Sequence, residues 1–122
     1  MAISNKSIKL LWSNAAGTCS FPDCKVRLSV EEAAEVAPYT IGEMAHIKGN
    51  KPGSNRYDEE QSADERDSYE NLILLCPTHH TLIDKVENED KYSVEILHEM
   101  KRAHENFISN RLSAISLNTL NN

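Results

Sequence analysis

With 122 residues, the chain suffices for one domain. Apolar side chains make up 39% of it and mean hydropathy is −0.54, so its core is thin, and a domain of this size commonly needs a metal or a disulfide as a staple. The net charge of −6 argues against a broad DNA-binding face, because phosphates are neutralised by Lys and Arg, and no run of about 18 apolar residues offers a membrane span.

In chain order, residues 5–16 read as a helix. Ile8, Leu11, Trp12 and Ala15 recur on one stripe, and Gly17 supplies a stop. A tight turn follows, with Cys19 at one end and Cys24 at the other. Residues 29–37 read as a short helix or an exposed insertion closed by Pro38. Thr40 to Ile47 reads as a strand, with Gly42 a candidate bulge. Lys48 to Ser68 is polar and rich in Gly, Asn, Asp and Glu; a loop of that length in a small domain is functional or disordered. Asn71 to Leu75 is a short apolar run. Pro77 suits the first position of a helix carrying His79, His80 and Asp84. Residues 85–92 read as loop, and Ser93 as the cap of a last helix. Residues 1–112 are read as one domain, and 113–122 as a tail or the start of a linker.

The start of the chain lacks the basic and apolar regions of a secretory signal, so a cytoplasmic setting is expected. There, three cysteines are metal ligands or free thiols rather than disulfide partners. Their spacing favours a metal. Cys19 and Cys24 make one close pair, and Cys76 and His79, on a turn entering a helix, make another. Four protein ligands leave no place for water or substrate, so a zinc ion held there would be structural. The plainer alternative is ordinary buried thiols with a solvent-facing His79.

A second set comprises His46, Asn71, His80 and Asp84. Phosphodiester hydrolysis needs a base to activate water and a hard cation to balance charge on the phosphate. A neutral imidazole is a suitable base near neutral pH. An Asn can hold that ring, or the backbone facing it, by hydrogen bonds. His80 and Asp84 lie four apart on the expected helix and so share a face. His98 and His104 read as surface or packing residues.

Together these residues resemble the HNH endonuclease family, with its ββα-metal finger. Ala45-His46-Ile47 looks like its first histidine motif, Asn71 its middle Asn, and His80 its last His. Asn71-Leu-x-x-Leu-Cys76-x-x-His79-His80 is similar to the corresponding segment of zinc-bearing members, with His79 where a second cysteine is more common. The resemblance implies an α+β fold: a zinc-stapled ββα-metal finger flanked by N- and C-terminal helices. It implies His46 as general base, Asn71 as its positioner, and His80 as a ligand to a catalytic Mg2+ or Mn2+. It implies DNA as substrate, with 5′-phosphate ends. Ala45 departs from the pattern, since many members carry a metal-binding Asp or His there. Asp84 is then the first candidate to complete the shell and Glu43 the second. Arg56, in the long loop, is the candidate contact to the scissile phosphate.

A narrower likeness joins the Gly42–Ile47 run, the loop with Arg56, the Asn71–Asp84 segment, and the last helix with Lys101 and His104-Glu105. These look like the N-terminal nuclease domains of bacterial anti-phage effectors whose C-terminal sensor, often of the SAVED type, binds a cyclic nucleotide. That implies a fused or separate sensor as partner, and homo-oligomerisation is plausible because one site cuts one strand at a time. Two alternatives stay open: a non-catalytic zinc-knuckle module that binds protein or nucleic acid, and an RNA-cutting relative.

Overall fold

The computed structural model describes the backbone of residues 2–31 and 37–121, and side chains within that range as far as residue 113. Helix α1, Asn5–Asn14, is capped by Ser4, whose hydroxyl accepts from the Ser7 amide. Leu11 is its buried contact, and Gly17, at φ 63°, turns the chain away behind it. Strands β1, Ser29–Val30, and β2, Tyr39–Thr40, pair antiparallel. The short helix or insertion expected over 29–37 thus has strand-paired flanks, and its centre, residues 32–36, lies outside the described residues.

The strand expected from Thr40 to Ile47 is divided. Strand β3 runs Glu43–His46, separated from β2 at Ile41 and Gly42. A Cβ on Gly42 would stand 2.6 Å from the Trp12 ring and 3.1 Å from Leu28, so this glycine is a close-packing position rather than a bulge. Strand β4, Leu72–Leu75, pairs antiparallel with β3, placing His46 opposite Leu72 and Glu43 opposite Leu75. All four residues of β4 are buried, because α1 and the last helix pack near it along with the helix that follows it. Covering on both faces explains its unbroken apolar run.

The expected long loop holds more structure than its composition suggests. Helix α2, Ala63–Arg66, opens with a reciprocal Ser62–Glu65 capping box. A 3₁₀ turn at Tyr69–Asn71 leads into β4. Helix α3, Pro77–Asp84, begins directly after Cys76 with Pro77 in its first turn. Helix α4, Val94–Asn121, is entered through Ser93, whose hydroxyl accepts from the Ile96 amide. It continues through most of the segment expected to be an irregular tail. Leu11, Leu28, Ile47, Ile83 and Leu97 complete the core around β4. The architecture is therefore α+β, with two small antiparallel sheets among helices.

Candidate metal centre and adjoining cleft

The four residues of the cysteine–histidine set meet. Ligand atoms of Cys19, Cys24, Cys76 and His79 all lie within 4.8 Å of one another. The turn holding Cys19 and Cys24 closes through left-handed backbone at Asp23 and Lys25, φ 64° and 51°. The Cys24 amide donates to the Phe21 carbonyl, and the Cys19 and Ser20 amides donate to Val26 and Leu74. Cys76 stands at the N-terminal boundary of α3, and its amide donates to Cys19 Sγ at 3.3 Å. His79 Nδ1 lies 3.2 Å from Cys76 Sγ and 3.7 Å from Cys19 Sγ. A tetrahedral zinc site places sulfur and nitrogen ligands about 3.6 Å apart, so these residues fit zinc. Phe21 stacks on the His79 ring, centroids 4.0 Å apart. Burial pushes the Cys19 thiol up to about 12, the neighbouring sulfurs adding to the rise against backbone hydrogen bonds. A bound cation would reverse that, since thiolate is the ligand form.

A second group opens beside the first. His46, His80 and Asp84 line one cleft of about 510 Å³, walled on its far side by the Gly49–Asn55 loop. His80 Nδ1 lies 2.7 Å from Glu43 Oε1 and its Nε2 lies 3.1 Å from Asp84 Oδ2. Both acidic candidates for the hydrolytic shell are thus placed against the same imidazole. The Asp84 hydrogen bond, assisted by Glu43, raises the His80 pKa against the opposing pull of burial. Burial raises Asp84, but hydrogen bonds from His80 and Arg56 outweigh it and hold that carboxyl low. One imidazole and two carboxylates fit a hard divalent cation in donor chemistry. Among the described residues, however, only the Cys19–Cys24–Cys76–His79 group converges as a compact set. Ala45 is fully buried and does not line the cleft.

His46 ends β3 and is mostly shielded. Its Nε2 lies 2.9 Å from Asp67 Oδ1, and the two side chains are 19% and 14% exposed. Asn71 makes no hydrogen bond to the His46 ring. Its Oδ1 accepts from the Lys48 amide at 2.9 Å, while its Nδ2 donates to the carbonyls of Lys48 and Arg66 at 3.1 and 2.8 Å. The Ile47 amide in turn donates to the Asn71 carbonyl. Asn71 therefore fixes the backbone beside His46 rather than the ring.

Arg56 corrects the expectation of a phosphate contact. Its side chain is only 3% exposed. Its Nε donates to the Ile47 carbonyl at 2.6 Å, Nη1 to Ile83 at 3.0 Å, and Nη2 to Asp84 at 2.9 Å. The guanidinium ties the loop to α3 and the end of β3, and has no face turned to solvent for a phosphate. Asp67, conversely, was missed. It lies in the charged run Asp64-Glu-Arg-Asp67, where nothing local distinguishes it from a solvated helix end. The capping box that begins α2 was the available signal that this stretch is ordered.

The fold and site define a small α+β module built on a Cys3His group able to hold a metal. A model of the family described as HNH endonuclease matches residues 19–87, more than half of the chain, which therefore belongs to the HNH endonuclease family. No curated protein matches the chain. Among the described residues no helix is long and apolar enough to cross a membrane.

Proposed function

We propose that the protein is a metal-dependent endonuclease that hydrolyses DNA phosphodiester bonds. The β3–β4 pair and α3 serve as a ββα-metal finger, with residues 1–112 as the working unit and 113–122 as a tail or the start of a linker. The observation that carries this reading is the convergence of His46, His80 and Asp84 on one cleft beside a Cys3His knuckle.

Cys19, Cys24, Cys76 and His79 would hold structural Zn2+, and His80 with Asp84 would hold Mg2+ or Mn2+. When bound, the second cation supplies positive charge to the phosphate and the leaving oxygen. The chain's own part is proton transfer and orientation. His46 takes a proton from water as the water oxygen attacks phosphorus. The bond to the 3′ oxygen breaks, and that oxygen leaves with the electron pair, so the new end carries a 5′-phosphate. Asn71 acts through the backbone, keeping the end of β3 in register. Arg56 supports the cleft from behind through Asp84.

The net charge of −6 makes tight binding of DNA by this segment alone unexpected, so a partner domain or a second copy supplies further grip. The likeness of the His46 and Asn71–Asp84 segments to nuclease domains of anti-phage effectors supports a cytoplasmic enzyme governed by a sensor.

The test is cleavage of plasmid DNA with Mg2+ or Mn2+, with and without EDTA, by wild type and His46→Ala. Cutting that EDTA abolishes and His46→Ala loses, with melting unchanged, supports the reading. A zinc-loaded wild type that leaves plasmid intact would favour a non-catalytic binding module, and RNA degraded in its place would reassign the substrate.

A further inference from the structure

His46 and Asp67 are 21 positions apart in sequence, yet the carboxylate oxygen stands 2.9 Å from Nε2. Asp67 lies outside the histidine and asparagine motifs. Three features hold it there. The capping box at Ser62 and Glu65 fixes the start of α2. The Asp67 amide donates to the Ala63 carbonyl and closes that helix. Asn71 Nδ2 donates to the carbonyl of Arg66, the residue immediately before Asp67. Through its other two bonds the same Asn71 side chain grips Lys48, two residues after His46. One buried amide thus sets the spacing between the strand that carries the imidazole and the segment that carries the carboxylate.

An ionised carboxylate only accepts hydrogen bonds, so the proton of a neutral His46 ring sits on Nε2. Nδ1 is left with its lone pair, and it makes no hydrogen bond to any described residue. The imidazole itself lines the cleft shared with His80 and Asp84. We propose that Asp67 is a positioning residue for the hydrolytic reaction: it selects the His46 tautomer whose Nδ1 takes the proton from water, and orients the ring towards the cleft. In the step, the water O–H bond breaks and an Nδ1–H bond forms. The resulting imidazolium keeps its Nε2 proton, facing the Asp67 carboxylate, which stabilises the new charge without taking the proton. The activity arm of this proposal rests on the endonuclease reading above; the tautomer arm does not.

The experiment compares Asp67→Asn and Asp67→Glu with the wild-type, zinc-loaded protein. Nitrogen-15 NMR of the histidine rings reads the tautomer, cleavage kinetics separate kcat from KM, and thermal melting monitors the fold. In the wild type, His46 is expected to carry its proton on Nε2, with Nδ1 bare. An Asn amide can donate to Nε2, so Asp67→Asn should mix or reverse the tautomers. Its kcat should fall at least about 100-fold, with KM for DNA within about twofold and the melting temperature little changed. Asp67→Glu, which restores a carboxylate acceptor, should recover part of kcat. A wild-type ring protonated on Nδ1 overturns the proposal, as does Asp67→Asn with reversed tautomer and undiminished kcat. If Asp67→Asn does not fold, the wild-type ring spectrum and the Asp67→Glu kinetics decide in its place. A wild type with the expected tautomer but no cutting of DNA would sink the endonuclease reading and the positioning role with it, while leaving the hydrogen bond established.

Discussion

The Cys3His knuckle and the histidine cleft share one short helix but are built on opposite terms. In the knuckle, Cys19 and Cys76 are buried, the donors close on one another, and Phe21 covers His79. In the cleft, His80 is half-exposed, and carboxylates on separate elements reach it from two sides. The first arrangement suits an ion that never exchanges; the second leaves room for an ion, water and substrate to arrive. Consecutive residues His79 and His80 divide between them, because successive helix positions are turned about 100° apart. A closed site spends its ligand energy on folding, whereas an open one keeps strained or charged groups ready for a reaction.

The contrast is most sharply tested by removing one ligand from each side. Cys76→Ser should unfold the domain or lower its melting temperature by tens of degrees, since structural zinc binding contributes about 10–16 kcal/mol in small metal-dependent folds. His80→Ala should alter melting by a few degrees at most while abolishing cleavage. Calorimetry on both variants, with zinc content measured alongside, checks this. Equal loss of stability would mean that the cleft histidine is part of the staple.

A smaller effect is expected where the long loop is tied to the end of β3 and to α3. Arg56→Met removes the guanidinium that serves the Ile47 and Ile83 carbonyls and Asp84. Leaving these groups without a partner should cost roughly 3 kcal/mol, read as a lower urea midpoint with unchanged slope. Loss of DNA affinity with unchanged stability would restore Arg56 as a phosphate contact.

The smallest effect concerns pH. His104 is buried on α4, with Nε2 2.9 Å from Thr18 Oγ1 and 3.2 Å from the Ala15 carbonyl. Burial lowers its pKa, the Lys25 charge adding to that, against the Ala15 hydrogen bond. The unfolded chain then binds the proton more readily, so stability should fall as pH drops below the ordinary His value of about 6.5. His104→Gln should flatten this part of the melting-temperature profile between about pH 7.5 and 5.5. A variant profile as steep as the wild type's would assign the acid loss to other groups.

Much of the metal centre was legible because each half is local. Cys19 with Cys24, and Cys76 with His79, are short-range pairs that a turn can gather, and the tertiary fold has only to join two halves. Helix starts at Pro77 and Ser93 were similarly written in first-turn and capping chemistry. The polar stretch from Lys48 to Ser68 has the composition of a loop, and its ordering depends on partners elsewhere. Arg56 turns inward only because carbonyls from Ile47 and Ile83 are left open to it. Gly42 looked like a bulge, and its reason is Trp12, 30 residues earlier in the chain.

Taken alone, the order of residues determined where α1, α3 and α4 begin and which cysteine and histidine donors pair at close spacing, since these depend on local geometry and side-chain type. Only the tertiary structure decided that Asp67 stands at His46, that Asn71 grips backbone rather than ring, and that Arg56 is enclosed. Those contacts join segments with no periodic or spacing relation, so they exist only after the buried β4 strand and the helices around it have fixed where each loop must pass.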